Sequence, residues 1–88
     1  MPELSRFYGI IISMFWSETK HNMAHIHAKY GDDEAVFFVD PAKLAEGKLP
    51  KRAEKLVLEW MKLHKKDLQE DWELAKAKKN PKKIKPLV

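Results

Sequence analysis

Three of the four histidines in this chain lie within residues 21–31, HNMAHIHAKYG, at His21, His25 and His27. Lys29 follows His27 at the same two-residue spacing. Imidazoles bind metal ions and transfer protons near neutral pH, and a lysine can stabilise the charge on a phosphate. This segment is therefore the first candidate for a functional site.

The two-residue spacing fits a β-strand, in which successive side chains point to opposite faces of the sheet. His25, His27 and Lys29 would share one face, and Ile26 and Ala28 would lie on the other. The simplest interpretation is a polar outer face of a sheet, without chemistry. An interface with a protein partner is a second interpretation, because histidines and aromatic residues are frequent there.

Two kinds of chemistry remain open for this face. A metal site would use His21, His25 and His27 as ligands, and zinc is the cofactor to consider. Lys29 argues against it, because a cation beside a metal ion is repulsive. A small ribonuclease would instead use His25 and His27 as general acid and base, with Lys29 binding the phosphate.

Length and composition indicate one small domain. The chain has 88 residues and no cysteine, which excludes disulfides and thiolate metal sites. It contains no glycine-rich phosphate-binding loop and no serine-nucleophile motif. The apolar run at 9–16 is too short to cross a bilayer as a helix, so we expect a cytoplasmic protein without a membrane partner.

Charge is distributed unevenly along the chain. Residues 76–88 contain six lysines and no acid, a charge of +6, whereas residues 1–75 contain 11 Lys/Arg against 13 Asp/Glu, a charge of −2. This pattern predicts a flexible lysine-rich tail at 76–88 that either keeps the protein soluble or contacts the phosphates of RNA or DNA. The candidate nucleic-acid-binding residues are Arg6, Lys29, Arg52, Lys78, Lys79, Lys82 and Lys83.

Hydrophobic periodicity predicts an α+β fold of the order ββββαα in residues 1–75. Alternation predicts strands at 6–16, 24–30, 34–39 and 44–48, although 41–46 could instead form a helical turn capped by Asp40. Three- and four-residue spacing predicts one helix after Pro50, with an apolar stripe that runs to Leu63, and another from residue 68, after a capping box at Asp67. The strands would form a small antiparallel meander of three to four strands, with both helices on one face.

The first predicted strand is apolar on both of its faces. One layer of two helices can cover only one of these faces, so the other would remain in water. We therefore expect a homodimer.

Three separated segments resemble one family. They are SRFYGIIISMF at 5–15, the histidine segment, and EGKLPKRAEKLVLEWMKLHKKDLQEDWELA at 46–75. The chain resembles the DUF4160 family, short prokaryotic proteins that are grouped as a domain of unknown function. The family pattern H-x-P-P-H-F-H is matched by His21, His25 and His27, whereas the positions of its two prolines and its phenylalanine hold Met23, Ala24 and Ile26.

The resemblance implies no established reaction. Members are often labelled transcriptional regulators, and their genes tend to neighbour that of another small uncharacterised domain. The resemblance therefore implies a regulatory or toxin–antitoxin-like component that acts by binding a small partner protein and nucleic acid. The histidine-dependent ribonuclease or metal-binding enzyme remains the alternative.

Overall fold

Five strands and two helices make up the described part of the chain, residues 3–14 and 24–87 of a computed structural model. The elements are β1 Glu3–Phe7, β2 Ile10–Ser13, β3 His25–Tyr30, β4 Asp33–Phe38, β5 Lys43–Gly47, α1 Lys51–Leu63 and α2 Lys65–Lys76. The strands form one antiparallel sheet in the order β1-β2-β3-β4-β5. The predicted α+β meander followed by two C-terminal helices is confirmed.

The apolar run predicted to be one long strand is a hairpin. Phe7 pairs with Ile10, and the two residues between them, Tyr8 and Gly9, both have positive φ, at 49° and 80°. A two-residue hairpin turn requires this conformation, because its twist then matches that of the strands. The prediction of a single strand over 6–16 is wrong for this reason, and the extra turn raises the strand count to five.

The core lies between one face of the sheet and the helices. Ile12, Ala28 and Ala35 are neighbours across β2, β3 and β4, and all three are buried. Their cluster includes Val57 and Trp60 of α1, both fully buried. Burying a large apolar side chain contributes about 1.5–3 kcal/mol, so this shared cluster fixes the helices on one face.

The C-terminal helices follow the predicted periodicity with two differences at their junction. Leu63, predicted to belong to the buried stripe, is 67% exposed because α1 ends there and the chain changes direction. The second helix begins at Lys65 rather than at residue 68, and Asp67 lies in its first turn. No side-chain cap hydrogen bond is formed at this start, so the predicted capping box is wrong. Neither of these described helices is long and apolar enough to cross a membrane.

The last strand of the sheet and the buried side of α2 complete the described fold. The strand predicted at 44–48 corresponds to β5, so the alternative of a helical turn at 41–46 is wrong. In α2, the side chains of Leu68, Trp72 and Ala75 are buried against the rest of the domain.

Candidate functional site

The sheet holds His25 and His27 close together. Both lie on β3, and their ring centroids are 5.5 Å apart. His27 pairs with Ser13 of β2 and Val36 of β4, on the face opposite the buried Ile26 and Ala28. The alternation of a regular strand thus brings the two imidazoles together, as the sequence spacing predicted.

His25 is a packed side chain. It is 5% exposed, and its ring centroid lies 5.0 Å from that of Trp72 in α2. The imidazole therefore contacts an aromatic ring on a helix as well as His27 on its own strand. Because its surface is almost fully covered, His25 is poorly placed to contact a dissolved substrate.

His27 is half-buried and has a lowered pKa. Burial is the largest cause, and the positive charge that His25 can carry lowers the pKa further. Glu34 and Glu46 oppose this shift without reversing it. The lowered pKa of His27 favours the neutral imidazole, the form that can accept a proton or bind a metal ion.

The predicted metal site cannot be assembled from the described residues alone. His21 lies outside them, and no group of three His, Cys, Asp or Glu side chains within 3–14 and 24–87 could hold a metal ion. A zinc site formed by His21, His25 and His27 stays a prediction. Lys29 is exposed on the face that carries His27, and pairs in register with Glu34.

The candidate nucleic-acid-binding residues fall into separate places. Arg6 is exposed on β1 and forms an ion pair with Glu3, at 2.8 Å between Arg6 Nη2 and Glu3 Oε1. This hydrogen bond lowers the pKa of Glu3, and the charge of Lys83 lowers it further. Arg6 and Lys83 therefore act on the same carboxylate. Lys29 lies on the sheet face and Arg52 in the first turn of α1.

The chain reverses direction immediately after α2. Lys78 N–H donates to Ala75 O at 3.0 Å, and Lys79 N–H donates to Leu74 O at 2.8 Å. These two bonds are those of a Schellman motif, in which the residue after the helix cap adopts a left-handed conformation. Lys78 occupies that position with φ 62°, where glycine is the usual residue. The turn directs the following lysines back towards the sheet.

Residues 78–87, here called the C-terminal segment, are attached to the edge of the sheet and to α1. Ile84 N–H donates to Leu4 O of β1 at 2.8 Å, and the Ile84 side chain is only 8% exposed. Trp60 Nε1–H of α1 donates to Lys85 O at 2.8 Å. The flexibility predicted for residues 76–88 stays a prediction, and within this segment the Ile84 side chain is buried.

A buried carboxylate provides a further attachment. Lys82 N–H donates to Asp71 Oδ1 at 2.8 Å, while Asp71 Oδ2 has no hydrogen-bond partner among the described residues. Asp71 is 2% exposed, and burial raises its pKa. The negative charges of Asp67 and Glu70 raise it further, against the opposing effect of the Lys82 hydrogen bond.

The lysine side chains of the C-terminal segment point into solvent although its backbone is held. The exposed residues are Lys78, Lys79, Lys82, Lys83 and Lys85. A backbone fixed by hydrogen bonds and a buried isoleucine can hold several cations in a constant arrangement. Sequence reasoning identified these lysines but missed Asp71 and Ile84, which attach them. The sequence signal for these two attachments was weak. Ile84 is a lone apolar residue among lysines, and Asp71 is an acidic residue on the apolar stripe of α2.

Comparison with known proteins identifies a family. The family model described as "Domain of unknown function (DUF4160)" matches residues 9–73, which are 65 of the 88 residues. The match covers the strands from β2 onwards, the histidine segment, α1 and most of α2. No curated protein and no solved structure matches the chain.

Proposed function

This chain belongs to the DUF4160 family, and from its own residues we propose that it is a regulatory protein that binds nucleic acid through the C-terminal segment. The observation that carries the proposal is the row of exposed lysines on an anchored backbone. The attachments are Lys82 to Asp71, Ile84 to Leu4, and Lys85 to Trp60.

Electrostatics favours a polyanion as the ligand of this segment. Residues 76–88 carry +6, while residues 1–75 carry −2, so the excess positive charge that attracts a phosphate chain lies at residues 76–88. An anchored backbone also loses less conformational entropy on binding than a free tail does. With only two arginines in the whole chain, base-edge recognition has few donors, so we expect binding with little sequence preference.

The acids of α2 limit which lysines face a ligand. Asp67 and Glu70 line the same shallow cleft as Lys82 and Lys83. Lys78 and Lys79 lie at the turn before this cleft. We therefore expect the phosphates to follow the outer side of the segment, away from α2.

Two variants with equal net charge test the proposal. The first replaces Lys78, Lys79, Lys82 and Lys83 with glutamine, which leaves the backbone attachments and Ile84 unchanged. The matched control replaces four exposed lysines outside the segment with glutamine: Lys43, Lys55, Lys62 and Lys66. Fluorescence anisotropy with labelled oligothymidylate measures binding between about 50 and 200 mM salt.

We expect the control to bind like the wild type and the segment variant to bind more weakly. Each phosphate contact to a single strand contributes about 0.7 to the slope of log K against log salt, so losing four contacts lowers the slope by about 3. An equal loss in both variants would show that only net charge matters, and would contradict the proposal. Absence of wild-type binding to DNA and RNA would also contradict it.

A protein partner and self-association form a separate part of the proposal. The family resemblance supports a small partner encoded beside this chain, in a regulatory or toxin–antitoxin-like pair. Half-buried Ile11 and Val36, on the sheet face opposite the core, support a homodimer. We expect light scattering at high micromolar protein concentration to show a dimer. A monomer at that concentration would contradict the proposed homodimer.

A histidine-dependent ribonuclease is the second candidate function. The 5.5 Å separation of the His25 and His27 rings favours it, because paired imidazoles can serve as acid and base. The 5% exposure of His25 argues against it. RNA cleavage by the wild type that His27→Ala abolishes would support the enzyme, and equal cleavage by both proteins would identify a contaminant.

A further inference from the structure

A second surface feature lies at the end of the sheet away from His25. A cleft of about 640 Å³ opens between the β1–β2 turn, the end of β3 and the start of α1. Tyr8, Tyr30 and Arg52 line it, together with the apolar side chains of Ile10, Ala53 and Leu56. The cleft therefore combines two aromatic rings and one cation with an apolar lining.

Tyr8 occupies a conformation that disfavours it. Its φ of 49° lies in the left-handed region, where bulky residues are rare and where asparagine or glycine is usual in such a turn. Its side chain is 61% exposed, so burial does not compensate for the strain. Residues held in such strained conformations cluster at active sites and ligand-binding sites. The position presents the Tyr8 ring to the cleft and to solvent.

Tyr30 is placed by the same turn. A Cβ atom at Gly9 would lie 3.3 Å from Tyr30 Cε1, so the absence of a side chain at Gly9 leaves room for the ring. Tyr30 remains 39% exposed. Gly9 thus allows a second phenol ring to line the cleft beside Tyr8.

Arg52 is the one charged side chain in the described part of the chain that lines the cleft. Arg52 is exposed in the first turn of α1 and makes no ion pair with the described residues. The helix adds the positive end of its dipole, and no side chain caps it. The cleft is therefore suited to a flat ring that carries an anionic group.

The C-terminal segment is hydrogen-bonded to β1 and α1, two elements that border the cleft. Ile84 N–H donates a hydrogen bond to Leu4 O of β1, and the carbonyl of the next residue, Lys85, accepts one from Trp60 Nε1–H of α1. The Trp60 ring lies 5.5 Å from that of Phe7, the residue before Tyr8. A strand of nucleic acid that follows the lysines would thus be directed towards the tyrosines.

We propose that this cleft binds an unpaired nucleotide of single-stranded nucleic acid, with the base against Tyr8 and Tyr30 and the phosphate at Arg52. The inference rests on the proposed nucleic-acid binding and specifies that its ligand is single-stranded. Bases in a duplex are stacked on each other and cannot enter, whereas an unpaired base can stack on aromatic side chains irrespective of sequence.

The test compares two strands with equal phosphate number, oligothymidylate and an abasic strand, on three proteins. Tyr8→Asn removes the ring and suits the left-handed turn, so folding is preserved. Tyr8→Phe keeps the ring and is the matched control. We expect the wild type and Tyr8→Phe to prefer the strand with bases by about tenfold. Tyr8→Asn keeps only the Tyr30 ring in the cleft, so we expect it to lose most of this preference.

Arg52→Gln provides the phosphate arm of the same test. We expect it to weaken binding of both strands by the same factor, because the phosphate is common to them. A wild type that does not distinguish the strands, or a Tyr8→Asn protein that keeps the full wild-type preference, would overturn the cleft proposal. The proposed function would still stand in that case if the four-lysine variant lost affinity, and would fail if neither strand bound the wild type.

Discussion

Ile84→Ala removes the apolar attachment of the C-terminal segment. The wild-type side chain is 8% exposed and belongs to the same buried cluster as Trp60 and Leu4. The substitution deletes three carbon atoms, each worth about 0.8 kcal/mol on burial, and leaves a cavity that adds to the cost. We expect the free energy of unfolding to fall by about 2–3 kcal/mol.

Leu63→Ala is the matched control for this prediction. It deletes the same number of carbon atoms from a side chain that is 67% exposed, so we expect a change within about 0.5 kcal/mol. Urea unfolding followed by tryptophan fluorescence measures both variants, because Trp60 and Trp72 are buried in the core. The midpoint should shift in Ile84→Ala with an unchanged slope.

The exchange rate of the Trp60 indole proton provides a second readout. Its hydrogen bond to Lys85 O exists only when the segment is attached. We expect this proton to exchange faster with solvent in Ile84→Ala than in the wild type. If Ile84→Ala were as stable as Leu63→Ala and its indole proton equally protected, the segment would not be attached through Ile84 and the reasoning would be refuted.

Two further predictions concern a turn and a buried charge. Gly47→Ala should lower the free energy of unfolding in urea by about 3 kcal/mol, because at φ +75° its Cβ would clash with Glu34 O. Gly31→Ala should lower it by about 1 kcal/mol, because at φ +60° its Cβ meets no other atom within 4 Å. Equal losses in the two variants would contradict the clash at Gly47. Asp71→Asn tests the raised pKa of Asp71. A raised carboxyl pKa lowers wild-type stability as the pH rises from the ordinary value of 3.8 through the folded-state pKa. The variant should therefore gain stability relative to the wild type as the pH rises above 3.8, and a difference independent of pH would contradict the raised pKa.

The fold class could be predicted from the sequence because its signals are local and agree with each other. Period-two alternation in β3 and β4 and the apolar stripe of α1 each identify their element, and Gly31 with Asp32 marks the turn between the two strands. The hairpin at Tyr8–Gly9 was missed because its turn lies inside an apolar run. A tyrosine where asparagine is usual gives no turn signal.

The site could be predicted only in part, since burial depends on contacts distant in sequence. The shared face of His25 and His27 follows from their spacing, whereas the burial of His25 depends on Trp72, 47 positions further along the chain. Likewise, composition identified the lysines of the C-terminal segment, but their attachment depends on Leu4 at the opposite end of the chain. Charge patterns are readable from sequence, but tertiary hydrogen bonds are not.

The most direct test of the central claim is an amide-resolved NMR titration of the full chain with oligothymidylate. We expect the largest shifts in residues 78–85 of the C-terminal segment and smaller ones at Arg6, while Lys55 and Lys62 of α1 and Lys43 of β5 stay unchanged. Shifts that are centred on α1, or spread evenly over all lysines, would contradict the claim that this anchored segment is the nucleic-acid-binding surface.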